Sequence, residues 1–341
     1  MTQPLVSVVM PVRNEERYIE RCLYSIASQD YPRELIEVIV IDGRSDDRTR
    51  EIVTRFAHES TLDLRLLDNP RRRPAAAMNI GIDAARGGVI LRVDGHAALA
   101  PDYVRCCVAA LEAQDADCAG GVLESEGDTY MGEAIALAMS SRFGVGGAAF
   151  RIGGAGPADT VAFGAYRRDV FERIGRFAED IDRGEDDEFN YRLRDAGGLI
   201  VLVPEARVRY TVRSDLPSLW RQYFGYGRAK VEVLRRHPAQ AQARQLAPAA
   251  LVAALGYFGV SAMLGRTGGL KALAGAYALF VSSASLVLAF RHGWQRLPLL
   301  PAVFACLHVS YGLGFFAGVL GLARSRARIA RSGAREGGET P

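Results

Sequence analysis

The first half of the chain alternates short apolar segments with segments whose apolar residues recur at helical spacing. Five apolar segments, rich in Val, Ile and Leu, are predicted to be β-strands: residues 6–10, 37–41, 62–67, 89–93 and 117–123. Helices are predicted between them: residues 16–28, 46–59, 74–85 and a segment that begins at Pro101. This alternation predicts an α/β fold in which a mostly parallel sheet is flanked by helices on both faces.

The second part of the chain has a different polarity. No Asp or Glu occurs between Glu232 and Glu336, and this stretch contains three apolar segments, residues 246–264, 270–290 and 297–323. Each is close to the roughly 20 residues that a helix needs to cross a bilayer. We therefore expect three parts: a soluble domain, residues 1–236; a membrane region with two to three helices, residues 246–323; and a basic tail with a disordered end, residues 324–341.

Composition narrows the class of protein further. Of the 341 residues, 24% are charged, which excludes disorder along the whole chain. The formal net charge of +3 gives no reason to expect nucleic-acid binding. The five cysteines include no C-x-x-C pair, so neither a disulfide framework nor a zinc knuckle is predicted. The first ten residues lack a basic region, and no cleavable signal peptide is predicted.

Two predicted strands are followed directly by a carboxylate. Asp42 follows the second strand and Asp94 the fourth, and ligand sites in parallel sheets lie at the carboxyl ends of the strands. Asp42 could accept hydrogen bonds from a nucleobase or a ribose. Asp94 and His96, two residues apart on one turn, could hold Mn²⁺ or Mg²⁺ against a diphosphate, although an isolated Asp-x-His also occurs often by chance.

Four consecutive carboxylates, Glu185-Asp186-Asp187-Glu188, precede a helix predicted over residues 189–194. Carboxylates at a helix N-terminus interact favourably with the helix dipole, which explains the cluster without any chemistry. Alternatively, one of them is a general base, because clustered carboxylates raise one another's pKa.

Two other segments allow more than one interpretation. Residues 144–156 contain six glycines and could be a lid over the site or a surface connection. Residues 220–228 combine aromatic side chains with Gln222 and Arg228. Such a segment suits a membrane interface or a contact with sugar or phosphate.

The order and spacing of these segments resemble an inverting, family-2 glycosyltransferase with the GT-A fold. The resemblance runs from about Val6 to Arg228. It rests on the following motifs: Pro11-Val12-Arg13-Asn14-Glu15, Asp42-Gly43-x-Ser45-x-Asp47, Ala77-Met78-Asn79-Ile80-Gly81, Asp94-x-His96 and Gly184-Glu185-Asp186-Asp187.

The resemblance assigns roles to residues of the nucleotide-sugar pocket. Pro11 and Asp42 would contact the nucleobase of a UDP-sugar. Asn14, Glu15 and Asn79 would belong to the nucleotide pocket.

The resemblance also implies the chemistry. Asp94 would reach the ribose or a divalent cation, Mn²⁺ or Mg²⁺, and His96 would be the second ligand of that cation. Asp186 would be the catalytic base that takes the proton from an acceptor hydroxyl. The acceptor or the diphosphate would be contacted by three further residues: Glu185, Gln222 and Arg228.

The sequence departs from the family pattern at two positions. The family's Asp-x-Asp is here Asp94-x-His96, which puts the identity of the metal and a strict metal requirement in doubt. The Gln-x-x-Arg-Trp element of processive synthases is absent as such, although Gln222 and Arg228 stand near its place. This favours the addition of a single sugar.

Within the family, the chain resembles the membrane-bound transferases of bacterial exopolysaccharide assembly, of the succinoglycan type. The Asp-x-His turn, residues 164–168 and the apolar C-terminal segments carry this likeness. It implies transfer of one hexose, commonly glucose from UDP-glucose, to a saccharide on polyprenyl pyrophosphate. Other exopolysaccharide assembly proteins would be possible partners. Alternative functions are a processive polysaccharide synthase, a polyprenyl-phosphate sugar transferase, and a non-catalytic membrane scaffold with a nucleotide-binding fold.

This resemblance also implies a location in the bacterial inner membrane with a cytoplasmic catalytic domain. Arginines lie just before the first apolar segment and again in the tail. Because basic residues favour the cytoplasmic side, both ends of the membrane region are expected there, which three crossings cannot satisfy.

Overall fold

The computed structural model describes residues 3–181 and 183–336, with only the backbone described over residues 324–336. The chain forms two compact units, Met1–Val212 and Arg213–Pro341.

Nine strands lie within the described residues of the first unit: β1 (Val6–Val12), β2 (Ile36–Asp42), β3 (Asp63–Asp68), β4 (Val89–Arg92), β5 (Ala97–Leu99), β6 (Cys118–Glu126), β7 (Gly156–Pro157), β8 (Ala162–Arg167) and β9 (Ile200–Thr211). Its helices are α1 (Ile19–Ala27), α2 (Thr49–Glu59), α3 (Pro74–Ala84), α4 (Tyr103–Ala113), α5 (Tyr130–Met139), α6 (Arg142–Val145), α7 (Ala149–Ile152), α8 (Val170–Arg173) and α9 (Glu185–Asp195). The helices of the second unit are α10 (Leu216–Arg236), α11 (Ala243–Met263), α12 (Gly268–His292) and α13 (Leu300–Glu336).

The strands form one mixed sheet in the order β3-β2-β1-β4-β8-β6-β9-β5, and β7 pairs with β9. The first four strands of this order are parallel, whereas β8 runs antiparallel to both β4 and β6. The predicted α/β sheet is therefore confirmed, and its uninterrupted parallel part is β3-β2-β1-β4. The sequence did not predict β8 or β9. In the second half of β9, buried apolar residues alternate with exposed Arg side chains.

Strand β1 brings the loops of the site together. It lies between β2 and β4, with Val12 paired to Asp42 and Val9 paired to Arg92. Its side chains at Val8, Val9 and Met10 are completely buried, because helices cover both faces of the sheet. Since the three strands are parallel, the segments that follow each of them emerge at one rim.

In the second unit, α10 and α13 pack closely through glycines. A Cβ atom added to Gly314 would lie 2.1 Å from the Phe224 carbonyl oxygen, and one added to Gly227 would lie 2.0 Å from the Tyr311 oxygen. Small residues allow two helix backbones to approach closely, as they do between packed helices in membranes. This packing explains why α10 groups with the helices that follow it. The predicted extent of the soluble domain, up to residue 236, stays a prediction.

Three helices of the second unit are long and apolar enough to cross a membrane: Ala243–Met263, Gly268–His292 and Leu300–Ala323. The last of them continues as α13 to Glu336. The beginning of the predicted basic tail is therefore helical, in keeping with the helix propensity of its Ala and Arg residues. The end of that tail, residues 337–341, lies outside the described residues.

The glycine packing predicts different effects for two substitutions in α13. Gly314→Ala places a methyl group against the α10 backbone, and such overpacking costs about 1–3 kcal/mol. Gly321→Ala is the matched control, because no neighbouring atom lies within 4 Å of the added Cβ. We expect a lower thermal unfolding temperature in detergent for Gly314→Ala alone. Equal unfolding temperatures for the two variants would contradict the close approach of α10 and α13.

Candidate functional site

The loops after β1, β2 and β4 meet at the rim of the sheet. The Gly43 amide donates a hydrogen bond of 2.8 Å to the Val12 carbonyl oxygen. A Cβ atom added to Gly95 would lie 3.0 Å from Cγ of Glu15 and 3.2 Å from Cγ1 of Val12. Gly95 therefore allows the Asp94-Gly95-His96 turn to lie directly against the loop after β1.

Asp42 and Pro11, the expected nucleobase contacts, lie on adjacent strands at this rim. The Asp42 side chain is fully buried and accepts hydrogen bonds from the Ser45 hydroxyl at 2.5 Å and from Nη1 of Arg50 at 2.8 Å. Pro11 is half-buried and pairs with Ile41, the residue before Asp42. The structure thus brings the two residues together, with the charge of Asp42 balanced by Arg50.

Asn14 connects the loop after β1 to the loop after β2. Its amide donates to Oγ of Ser45 at 2.9 Å, and its Oδ1 accepts from the Asp46 amide at 3.0 Å. The backbone of Asn14 is left-handed, with a φ of 57°, a conformation that Asn tolerates better than most residues. Asn14 therefore fixes the relative position of the Glu15 and Asp42 loops.

Glu15 orients His96. The Nδ1 atom of His96 lies 2.9 Å from Oε1 of Glu15, and both side chains are largely buried. A carboxylate at one ring nitrogen commonly orients an imidazole whose other nitrogen binds a metal. Among the described residues, no group of three or more His, Cys, Asp or Glu side chains could hold a metal ion. The expected binding of a cation by Asp94 and His96 stays a prediction, in which substrate phosphates and water would supply the remaining ligands.

A buried arginine, Arg92, connects this turn to helix α9. Its Nε lies 3.2 Å from Oδ1 of Asp94, and its Nη1 lies 3.0 Å from Oε1 of Glu185. The Arg92 side chain is only 12% exposed and that of Glu185 only 6%. Burial alone would lower the pKa of Arg92, but the carboxylates of Asp94, Glu185 and Asp186 raise it well above its usual value. Arg92 therefore stays charged and pairs with the Asp94 turn on one side and with helix α9 on the other.

Asp186 has the pKa of a group that exchanges protons near neutrality. The pKa of its carboxyl is raised to about 7, chiefly by burial; Arg92 acts in the opposite direction, and the neighbouring Asp187 and Glu185 add to the rise. The Asp187 amide donates to Oδ1 of Asp186 at 2.9 Å. A perturbed carboxyl of this kind is typical of a general base.

Helix α9 starts earlier than the sequence predicted. It begins at Glu185, so that all four carboxylates lie in its first turn, and Gly184 precedes it with a left-handed φ of 78°. The start predicted at 189 was wrong, because interaction of the carboxylates with the helix dipole and with Arg92 outweighs their mutual repulsion.

Asn79 forms hydrogen bonds with the segment that leads to α9. Its Oδ1 accepts from the Phe177 amide at 2.9 Å, and its Nδ2 donates to the Phe177 carbonyl at 3.0 Å and to Oε1 of Glu179 at 2.9 Å. Arg71 and Arg73 also bind Glu179, through its carboxylate and its carbonyl oxygen respectively. The prediction that Asn79 belongs to the nucleotide pocket is not tested by these contacts. They show that Asn79 holds the segment around Phe177 and Glu179 in place.

Two of the predicted site residues lie in the second unit, on α10. Gln222 is buried and its Nε2 donates to the Tyr226 hydroxyl at 3.0 Å, whereas Arg228 is exposed. Their expected contact with the acceptor or the diphosphate stays a prediction.

No role was predicted from the sequence for Arg92 or for Tyr210. Arg92 had a detectable signal, since it is the single charged residue in an otherwise apolar predicted strand and stands two residues before Asp94. Tyr210, whose ring centroid lies 5.0 Å from that of His96, had none, because it belongs to the unpredicted strand β9.

Comparison with known proteins gives concordant results. The sequence profile of glycosyl transferase family 2 matches residues 7–175. The chain is 32% identical over 247 residues to the succinoglycan biosynthesis protein ExoA of Rhizobium meliloti, covering 72% of this chain and 74% of that protein. It is 27% identical over 239 residues, 68% of this chain and 74% of the other, to a dolichyl N-acetyl-α-D-glucosaminyl phosphate 3-β-D-2,3-diacetamido-2,3-dideoxy-β-D-glucuronosyltransferase of Methanococcus voltae. Among solved structures, a mannosyltransferase of Pyrobaculum calidifontis shares the fold, with a TM-score of 0.61, 21% identity, and coverage of 93% of this chain and 88% of that one.

The raised pKa of Asp186 predicts a pH-dependent effect of Asp186→Asn on stability. The folded state holds a proton that the unfolded state releases near the ordinary pKa of aspartate, so stability falls as the pH rises towards about 7. Asn cannot lose that proton. We expect the unfolding temperature of Asp186→Asn to exceed that of the unchanged protein by an amount that grows from about pH 5 to about pH 7 and then levels off.

The control for this titration is Glu59→Gln, which removes an exposed carboxyl at the end of α2. Its difference from the unchanged protein should stay constant over the same range. A constant difference for Asp186→Asn as well would show that Asp186 does not titrate near neutrality.

Proposed function

The chain belongs to glycosyl transferase family 2, and we propose that it transfers a single hexose, glucose, from a UDP-sugar to a saccharide carried by polyprenyl pyrophosphate. The observation that carries this proposal is the half-buried Asp186, with its pKa raised to about 7 and with Arg92 joining its helix to the Asp94 turn. Membership of the family makes the protein a glycosyltransferase. The donor, the acceptor and the roles of single residues are our proposal.

The proposed reaction is one displacement. The Asp186 carboxylate takes the proton from an acceptor hydroxyl while that oxygen attacks the anomeric carbon of the donor. The bond between this carbon and the diphosphate oxygen breaks, and UDP leaves with the electron pair. Attack from the side opposite the leaving group inverts the anomeric configuration, so that an α-linked donor gives a β-linked product. A base whose pKa lies near the working pH suits this step.

The rim of the sheet is the proposed site of the nucleotide diphosphate. Pro11, Asn14 and Asp42 would bind the nucleoside part, where Asp42 is held by Ser45 and Arg50. Asp94 and His96 would hold a divalent cation, Mn²⁺ or Mg²⁺, which would neutralise charge on the departing diphosphate. Glu15 would keep the His96 ring in position through the contact between its Oε1 and Nδ1.

Two observations support a lipid-linked acceptor. The name of the Methanococcus relative describes transfer to a sugar on dolichyl phosphate, and the Rhizobium relative is named for succinoglycan biosynthesis. The present chain has three helices long and apolar enough to cross a membrane. An enzyme held at a bilayer meets a lipid-linked saccharide at high effective concentration, so that membrane attachment serves this acceptor directly. Other proteins of exopolysaccharide assembly are the partners we would expect.

The donor and the base can be tested together. Purified protein in detergent is supplied with a panel of UDP-sugars, Mn²⁺ or Mg²⁺ and a bacterial lipid extract, and the release of UDP is measured. We expect release with one donor, a single sugar added to each acceptor, and a loss of about 10²–10⁴-fold in Asp186→Asn with UDP binding retained.

Each other outcome excludes part of the proposal. Turnover retained in Asp186→Asn would remove Asp186 as the base. Long products on one acceptor would indicate a processive synthase, and transfer to polyprenyl phosphate itself would indicate a sugar transferase of that type. UDP binding without release under any condition would favour a non-catalytic scaffold.

We also propose that the catalytic unit lies on the cytoplasmic side of a bacterial inner membrane, where nucleotide sugars are made. Arginines that follow the last apolar helix, from Arg324 onwards, favour the same side for the C-terminus, which requires an even number of crossings. We infer that α12 and α13 cross, whereas α11, which contains Pro248, does not.

A protease-protection assay on a C-terminal tag tests this arrangement. We expect the tag to be protected in spheroplasts and cleaved in inverted membrane vesicles. Cleavage in spheroplasts would place the C-terminus outside and would require an odd number of crossings. A tag at the N-terminus serves as the control for the side of the catalytic unit.

A further inference from the structure

Arg151 and His96 have an aromatic neighbour in common, Tyr210. Arg151 belongs to α7, in the glycine-rich segment, and its guanidinium carbon lies 5.8 Å from the centroid of the Tyr210 ring. The same Tyr210 ring lies 5.0 Å from the His96 ring. Tyr210 therefore contacts both the Asp94-x-His96 turn and Arg151, although these segments are far apart in sequence.

The guanidinium of Arg151 has a donor without a protein acceptor. Its Nη1 is buried, and no hydrogen-bond partner for this atom exists among the described residues. Arg50, at the same rim, differs in this respect, because its Nη1 lies 2.8 Å from Asp42 and 2.7 Å from Asp68. A buried donor left unsatisfied is costly, and a ligand that brings an acceptor would remove this cost. Nη1 of Arg92 also lacks a hydrogen-bond partner, but it lies 3.0 Å from Oε1 of Glu185.

The helix that carries Arg151 is flanked by glycines and followed by a short strand. Helix α7 is flanked by Gly147, Gly153 and Gly154, all with positive φ, and it is followed by β7, which pairs with β9. Strand β9 also carries Tyr210. The glycine-rich segment is thus attached to the strand that contacts His96, which favours a role at the site over a plain surface connection.

We propose that Arg151 binds the diphosphate of the nucleotide-sugar donor, an inference that rests on the proposed function. The planar guanidinium presents paired donors that match two phosphate oxygens, and a charged donor of this kind is among the strongest contacts a phosphate can receive. A polyprenyl pyrophosphate acceptor carries the same chemical group. The donor is the better assignment, because Arg151 and His96 contact the same Tyr210 ring, and His96 lies at the rim with Asp42 and Asp94.

Binding measurements on the full-length protein in detergent test the inference. The affinities for UDP and for uridine are measured by calorimetry in the presence of Mn²⁺, for the unchanged protein, Arg151→Gln and Arg151→Lys. Arg142→Gln is the matched control, since Arg142 is an exposed arginine in the adjacent short helix α6. We expect Arg151→Gln to lose about tenfold or more in UDP affinity. Arg151→Lys should lose less, and uridine binding and the Arg142→Gln variant should be unchanged.

Three outcomes would overturn the inference, each in a different way. Equal UDP affinity in Arg151→Gln and the unchanged protein, with the Michaelis constant for the lipid-linked acceptor also unchanged, would exclude a diphosphate contact. Unchanged UDP affinity with a raised Michaelis constant for that acceptor would move Arg151 to the acceptor's pyrophosphate. Absence of UDP binding by the unchanged protein would remove the proposed function itself, and this inference with it. Retained uridine binding verifies that the Arg151→Gln variant is folded.

Discussion

The ion pairs of Arg92 are the interaction on which the site depends. A guanidinium that is 12% exposed contacts Asp94 on one side and Glu185 on the other, and its charge also acts on Asp186. Removing one partner of such a buried pair typically costs 3–5 kcal/mol, because the remaining charge is left unpaired. Without Arg92, three carboxylates would face one another in a poorly hydrated site. With it, the pKa of Asp186 rises only to about 7, where the group can still be a base.

The sequence predicted the part of the site that depends on local pattern. Strands β1, β2 and β4 were recognisable from their apolar runs, and parallel pairing then places Asp42 and Asp94 at one rim. Contacts between residues far apart in the chain were not predictable in this way. Hydrophobic periodicity does not indicate the hydrogen bond between Asn79 and Phe177 or the ion pair between Arg92 and Glu185. Strand β9 was not predicted for a different reason: charged residues of the kind at its exposed positions are common in helices as well.

The second unit shows how helix α10 is held against the apolar helices that follow it. The amphipathic helix α10 combines a buried apolar side with the basic residues Arg235 and Arg236 in its last turn. Its backbone approaches α13 at Gly227 and Gly314, where any side chain would separate the two helices. The close packing of α10 against α13 therefore depends on the lack of a side chain at these two glycines. A sequence pattern reports this only as glycines in an apolar segment, without identifying the partner helix.

Charge balance connects the unusual turn to the arginines of the site. His96 replaces a carboxylate at the second position of the Asp-x-Asp pattern, and a neutral imidazole brings no negative charge to a bound cation. A cation held by Asp94 and His96 would therefore be bound less strongly by Coulomb attraction than one held by two carboxylates, and more of its charge would remain to act on phosphate oxygens. A diphosphate bound at the proposed site would be neutralised by all the positive groups around it together. Nη1 of both Arg92 and Arg151 is buried without a hydrogen-bond partner among the described residues, but the Arg92 guanidinium is already paired with the carboxylates of Asp94 and Glu185. Arg151 is therefore the better placed of the two to contact a phosphate.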